Sequence, residues 1–321
     1  MYINTEGLDN RVTNLGTEQR NPNTVEIANV STAEMLRMIN REDATVAEKV
    51  ADAIDKIAEA VELIAHRMSM GGRLVYVGAG TSARLAFMDA AECPPTYYVH
   101  PEDVTCIMAG GRDCVFRANE MLEDSEDDAV RDLKKYGLAP MDTVVACAAS
   151  GRTPYCIGAL KYAASIGAGH VSMACNLNSE MGKFAEVAIE MDTGAEAIMG
   201  STRMKAGTAQ KMAMNMLSTG VMIRLGRTYG NVLLRLPARN SKLSNRDLRY
   251  FAEAVGTNDL AYAKDCLKKA HGSSLCAAIM ENLNVDYETA LQAATIAQGR
   301  VHLAFRLAKQ IFEEKHEKYI K

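Results

Sequence analysis

A chain of 321 residues with 48% hydrophobic content holds one large domain with an appendage, or two modest ones, around a real core. A formal net charge of −4 leaves no broad basic field, which excludes nucleic acid as an expected partner and leaves any anionic ligand to local donors. Eight cysteines without a C-x-x-C pair, six scattered histidines, no apolar run of membrane-spanning length and a polar N-terminus predict a cytoplasmic protein with no metal centre and no membrane contact.

The first thirty residues are polar, and Thr17-Glu18-Gln19-Arg20-Asn21-Pro22 reads as an extended arm. Ser31-Thr32-Ala33-Glu34 has the spacing of a capping box ahead of Met35, Leu36 and Ile39. A second helical stripe carries Val46, Val50, Ile54, Ile57, Val61, Ile64 and Met68 at steps of three and four, and Gly71-Gly72 ends it. Residues 1–70 are therefore expected to pack as arm and helices on the core or on a partner.

Leu74-Val75-Tyr76-Val77 reads as a short buried strand, and Gly78-Ala79-Gly80-Thr81-Ser82 turns it into a helix. Unpaired N–H groups at that helix start, with the Thr81 and Ser82 hydroxyls, suit a phosphate. Gly78, Gly80 and Ala83 also fit the small positions of a dinucleotide fingerprint, with Glu102 and Asp103 as the candidate ribose-binding acids, and a ligand-free glycine turn is the third reading. Further strands are predicted at Val104–Met108, Thr143–Ala148, His170–Ala174 and Val187–Met191, alternating with helical crossovers at 82–92, 112–136, 154–166 and 179–185. That alternation predicts a parallel sheet covered on both faces.

Pro94 disfavours helix at Cys93, so the helix begun near Ser82 is expected to end there, with Glu92 at the negative end of its dipole. Partial desolvation at that place would turn Glu92 into a proton donor near neutral pH. The run Glu120, Glu123, Asp124, Glu126, Asp127 and Asp128 falls on the next crossover helix, where the ordinary reading is a solvated face. The third strand delivers Ala148-Ala149-Ser150-Gly151-Arg152-Thr153-Pro154-Tyr155, again hydroxyls and glycine before a helix, with Pro154 at the first helical position. Ser150 and Thr153 either bind an anion or cap that helix. Gly200-Ser201-Thr202-Arg203-Met204-Lys205 opens a long helix to about Arg227 and reads as another anion-facing start. Beyond residue 250, alanine-rich helices broken at His271-Gly272 and Asn284-Val285-Asp286 form a small appendage, 250–321, behind a domain of 71–249.

Taken together, Gly78–Ser82, Glu92-Cys93-Pro94-Pro95-Thr96, Ala148–Tyr155 and the segment Gly200-Ser201-Thr202-Arg203-Met204-Lys205-Ala206-Gly207-Thr208-Ala209-Gln210-Lys211 closely resemble the N-acetylmuramic acid 6-phosphate etherases, a sugar isomerase (SIS) domain family. The likeness runs from Thr17 to at least Leu243. Ala83 stands where the family usually has glycine, and Ala238-Arg239-Asn240-Ser241-Lys242-Leu243 replaces the more usual Ala-Thr-Asn-Glu-Lys-Leu. The resemblance implies a three-layer α/β sandwich on a parallel five-stranded sheet, and a cofactor-free lyase that removes D-lactate from the phosphorylated amino sugar in cell-wall recycling. It assigns Glu92 as proton donor to the ether oxygen and Glu123 as the second catalytic glutamate. Gly80, Thr81, Ser82, Ser150, Gly151, Arg152, Thr153, Ser201, Thr202 and Lys205 are the candidate substrate- and phosphate-binding residues. It further implies a homodimer with shared active sites. A regulatory SIS protein that only binds a sugar phosphate would keep the same loops, and a nicotinamide-dependent enzyme is the third alternative.

Overall fold

The five apolar runs pair as one parallel sheet in the order β2-β1-β3-β4-β5, with β1 at Leu74–Gly78, β2 at Val104–Met108, β3 at Thr143–Cys147, β4 at Gly169–Ala174 and β5 at Val187–Glu190. The computed structural model describes residues 15–117, 119–234 and 241–320, and every strand lies within one residue of its predicted bounds. β1 and β3 are buried at every position, as expected of central parallel strands with helices on both faces. From β1 the chain steps to β2 on one side, then returns to place β3 on the other, so the strand order reverses between β1 and β3. The register Gly78↔Met108 and Gly78↔Cys147 brings the carboxyl ends of all three strands level.

Two compact units follow from the contact pattern. One takes the chain up to Cys93 and His100–Val221; the other takes Pro94–Val99 and Met222 onward. These limits differ from divisions at 70/71 and 249/250, because the N-terminal segment is tied to the sheet loops by polar contacts that composition does not display. The Asn176 carboxamide accepts the Thr17 backbone N–H at 3.2 Å and donates to Thr17 Oγ1 at 3.0 Å. Asn21 Nδ2 donates to Ala195 O at 3.1 Å, and Thr24 Oγ1 donates to Ala197 O at 2.8 Å.

Helices α1 (Thr32–Asp43), α2 (Val46–Ala51) and α3 (Ile54–Ser69) follow the arm. Ser31 caps α1 by accepting the Glu34 N–H, as the capping-box spacing predicts. The stripe predicted as one helix is divided between α2 and α3: Val46, Val50, Ile57, Val61 and Ile64 are buried, whereas Ile54 at the start of α3 is exposed. After β1 comes α4 (Gly80–Tyr97), which does not stop at Cys93 but runs through Pro94 and Pro95. Proline's fixed φ is compatible with helix, and the two missing N–H groups cost the bonds to Ala90 and Ala91 without breaking the turn. Buried Cys93 stays packed on that face, its thiol donating to Asp89 O at 3.4 Å.

The crossover at 112–136 is also not one helix. It divides into α5 (Asp113–Phe116), a 3-10 turn at Glu120–Leu122 and α6 (Glu126–Tyr136), with Glu123 and Asp124 in the bend between. Ser125 sets the restart, accepting the Asp128 N–H at 3.1 Å, and the three acidic residues of the first turn complement the helix dipole. α7 (Pro154–Ser165) packs on α6 so closely that a Cβ on Gly158 would lie 2.4 Å from Glu126 O. α8 (Lys205–Arg224) buries Ala206, Ala209, Ala213, Met214 and Leu217.

The second unit holds α9 (Ser241–Val255), α10 (Leu260–Lys269), α11 (Ser274–Leu283), α12 (Tyr287–Ile296) and α13 (Val301–Ile320). The predicted breaks at His271-Gly272 and Asn284 are left-handed stops, with φ of 51°, 82° and 51°. Asp259, Ser273 and Asp286 cap the helices that follow. The core of this unit is alanine-rich, filled by Phe251, Leu275 and Ile279. Of the two departures from the usual motif, Arg239 lies outside the described residues and Ser241 is the first residue of α9.

Candidate active site

At the carboxyl ends of β1, β2 and β3 lies a cavity of about 400 Å³. Ligands of open parallel sheets bind at such a reversal of strand order. Its walls come from the loop after β1 (Gly80, Thr81, Ser82), the loop after β3 (Ser150, Arg152, Thr153), Glu123 and Thr202. Residues dispersed over more than 120 positions thus meet in one crevice. Gly80 turns the first loop at φ +52°, and α4 and α7 both present the positive ends of their dipoles here, although α7 opens on Pro154, which has no N–H, and its Tyr155 N–H is already bonded to Glu123 O. Thr153 makes no side-chain capping bond, so its hydroxyl is not consumed by the capping role. Ser82 is buried and donates to Gln210 Oε1 at 2.8 Å.

Glu123 enters this wall because its backbone is tied to α7: its carbonyl accepts the Tyr155 N–H at 3.0 Å. The same residue, with Ser150 and Arg152, also lines an adjoining cavity of about 370 Å³. A carboxylate therefore stands where two chambers share a wall.

Four predicted residues lie elsewhere. Gly151 does not line the crevice; at φ +72° it closes the loop, and a Cβ there would meet Ser179 Cβ at 2.5 Å. Ser201 sits in the turn before α8, its carbonyl accepting the Met204 N–H. Lys205 is buried in an ion pair with Glu42 of α1, Nζ to Oε2 2.7 Å. Its helix start is not an open anion site, because the buried Glu196 carboxylate already accepts the N–H groups of Lys205 and Ala206 at 2.8 and 2.9 Å. The sequence displays these cations and hydroxyls but not the internal acids that take them. Glu92 is exposed on α4 and is not among the crevice residues, so it is not desolvated within one chain.

Sequence reasoning missed three polar lining residues. Glu18 reaches the crevice because the docked arm carries it there. Arg84 is held in the wall by donating to Val115 O at 2.9 Å and Cys114 O at 2.7 Å. Asn119 comes from the irregular part of the divided crossover. Conversely, Ala83 adds no methyl group to the cavity; it is buried against Met108 and Cys114. Glu102 and Asp103 precede β2 and so stand at the end of the strand away from the crevice, which removes the ribose-binding acid of the dinucleotide reading. Among the described residues no group of three or more His, Cys, Asp or Glu is placed to hold a metal.

One turn before Glu92, Asp89 is the buried acid of α4. A lone carboxylate at i+3 from Ala86 and i−4 from Cys93, both buried, was the sequence signal for it. Burial pushes its pKa up to about 6, against hydrogen bonds from Tyr76 and Ser218 and the charge of Lys211. Tyr76 OH donates at 2.9 Å and Ser218 Oγ at 3.0 Å. The folded value lies above the unfolded one near 3.9, so this group's stabilising contribution is full below about pH 4 and is lost as pH rises through about 6. Asp89→Asn should remove that dependence, worth on the order of 3 kcal/mol across the window, as read from urea midpoints at pH 3.5 and 7.5.

The reversal of strand order with two hydroxyl-bearing loops at it defines an SIS-type α/β domain, and residues 56–164 match the family model described as the glucokinase regulatory protein N-terminal SIS domain. The chain is 51% identical over 256 residues to the N-acetylmuramic acid 6-phosphate etherase of Clostridium beijerinckii, covering 80% of this chain and 84% of that one. It is 48% identical to the etherase of the same name from Oceanobacillus iheyensis, over 89% and 97% of the two chains. Among solved structures, a phosphoheptose isomerase from Francisella tularensis aligns with a TM-score of 0.47 at 11% identity, over 60% of this chain and all of that one. The chain belongs to the N-acetylmuramic acid 6-phosphate etherase family.

Proposed function

We propose that this protein removes D-lactate from the C3 ether of N-acetylmuramic acid 6-phosphate, leaving N-acetylglucosamine 6-phosphate, in the cytoplasmic recycling of cell-wall sugar. The observation that carries the reading is the crevice itself: two helix N-termini and the hydroxyls of Thr81, Ser82, Ser150 and Thr153 converge beside the carboxylate of Glu123, in a member of that family. The hydroxyls and N–H groups hold the phosphoryl group. In the open-chain sugar the C1 aldehyde acidifies the C2 proton, and Glu123 removes it as the C3–O bond breaks. Glu92 protonates the departing lactate oxygen. Water then adds to the unsaturated sugar at C3, a proton returns to C2, and the carboxyl groups regain their starting states.

Glu92 is exposed in one chain, so in this reading it completes the crevice of a second copy in a homodimer. Phe87 and Met88, exposed by 38% and 45% on the same helix, support burial of that surface against another chain. Incubation with N-acetylmuramic acid 6-phosphate should release D-lactate without added nicotinamide. A second reading, a sugar-phosphate-binding regulator, is supported by the match to the glucokinase regulatory protein domain over 56–164; phosphosugar binding with no lactate release would favour it.

Ser150→Ala should weaken binding of N-acetylglucosamine 6-phosphate by roughly ten-fold or more, the loss of one hydrogen bond to a charged group. Binding of unphosphorylated N-acetylglucosamine should be unchanged. Calorimetry with both sugars checks this, and equal losses would restrict Ser150 to a structural role.

A further inference from the structure

Gln210 lies on α8 and is 1% exposed. Its Oε1 accepts the Ser82 hydroxyl at 2.8 Å, while its buried Nε2 has no hydrogen-bond partner. A buried amide NH₂ without an acceptor is unfavourable and uncommon. The arrangement also gives Ser82 the wrong polarity for an anion. With its proton directed at Gln210, the hydroxyl offers the crevice lone pairs, whereas ionised phosphate oxygens only accept.

Both faults have one remedy. The two orientations of a carboxamide occupy nearly the same space. When the amide turns over, Nε2 donates to Ser82 Oγ, the orphaned donor is paired, and the Ser82 O–H is released to donate into the crevice. The carboxamide oxygen is then the unpaired atom, which is the less costly of the two to leave so.

We propose that Gln210 is a positioning residue of the crevice: it sets the direction of the Ser82 proton, and a bound phosphoryl group selects the turned amide. This rests on the phosphosugar reading above. No covalent bond forms or breaks; the ligand exchanges one hydrogen-bond direction for another. Gln210 touches no ligand itself and acts only through Ser82.

The test is calorimetry of the full chain with N-acetylglucosamine 6-phosphate and with N-acetylglucosamine, using Gln210→Met, Gln210→Glu, Ser82→Ala and the Ser82→Ala/Gln210→Met double variant. Gln210→Met should lose about ten-fold in affinity for the phosphosugar, the scale of one hydrogen bond to a charged group, and nothing for the neutral sugar. Ser82→Ala should then cost little more in the Gln210→Met background, since both changes disable one unit. Gln210→Glu keeps the shape but only accepts, so it should hold the Ser82 proton away and lose at least as much. It serves equally if the methionine variant unfolds. An unaltered phosphate preference in both Gln210 variants, with Ser82→Ala costing the same in either background, would reduce Gln210 to packing. A wild-type protein with no preference between the two sugars would overturn the phosphosugar reading, and this role with it.

Discussion

Glu123→Gln is expected to keep the fold and the affinity for the phosphosugar while turnover falls by about 100- to 10,000-fold, the range contributed by general acid–base catalysis. The amide preserves the shape of the wall and the carbonyl bond from Tyr155, which belongs to the backbone. The capacity to take a proton is lost. Glu92→Gln should have an effect of the same size, with the fold of each chain kept, because the side chain is exposed within one chain and the amide preserves its shape. Lactate release and phosphosugar calorimetry on the same preparations check both variants; near-normal turnover in either removes that residue from the chemistry.

The second large effect is on stability. Burial pushes Glu42 up, but hydrogen bonds from Lys205, Asn23 and Asn21 outweigh it and hold its carboxyl below the usual range. Asn23 Nδ2 donates to the other carboxylate oxygen at 2.9 Å. Removing one partner of such a pair leaves a buried charge uncompensated, so Glu42→Gln should destabilise the protein by about 3–5 kcal/mol. The double change Glu42→Gln with Lys205→Met should cost clearly less than the two single losses added together. The depressed value means that the stabilisation is present at neutral pH and is lost as pH falls through the folded pKa. Urea unfolding at pH 7 measures all three variants, and strict additivity would show that the pair is not coupled.

What could be read from the chain without coordinates was what local physics determines. Short apolar runs alternating with helical segments located the strands of the sheet, and the hydroxyl-rich loops at 80–82 and 150–153 were legible as turns between a strand end and a helix start because strand, loop and helix are adjacent in sequence. Long-range neutralisation was not legible. Lys205 looks like a free cation until Glu42, 163 positions earlier, is seen against it, and the helix start it opens looks vacant until Glu196 fills it. Glu18 is the opposite case: it sits in a polar arm of no periodicity, and the Thr17–Asn176 bonds that bring it to the crevice span 159 positions. The expected stop at Cys93 failed because a pre-proline preference is weak against burial of the same residue. The acidic run read as a solvated face because spacing alone does not reveal that Ser125 interrupts it and leaves Glu123 in a bend.

Mixing the two carboxyl variants tests most directly whether one crevice draws its acid and its base from different copies. Glu92→Gln and Glu123→Gln preparations, each nearly inactive alone, should be unfolded, combined and refolded together, and lactate release then measured. In a two-fold dimer with shared sites, half of the reassembled dimers are mixed and each mixed dimer has one intact site, so activity should recover to roughly a quarter of wild type. No recovery, with mixed dimers demonstrated by native mass spectrometry, would contradict the shared site and require Glu92 to act within its own chain or not at all.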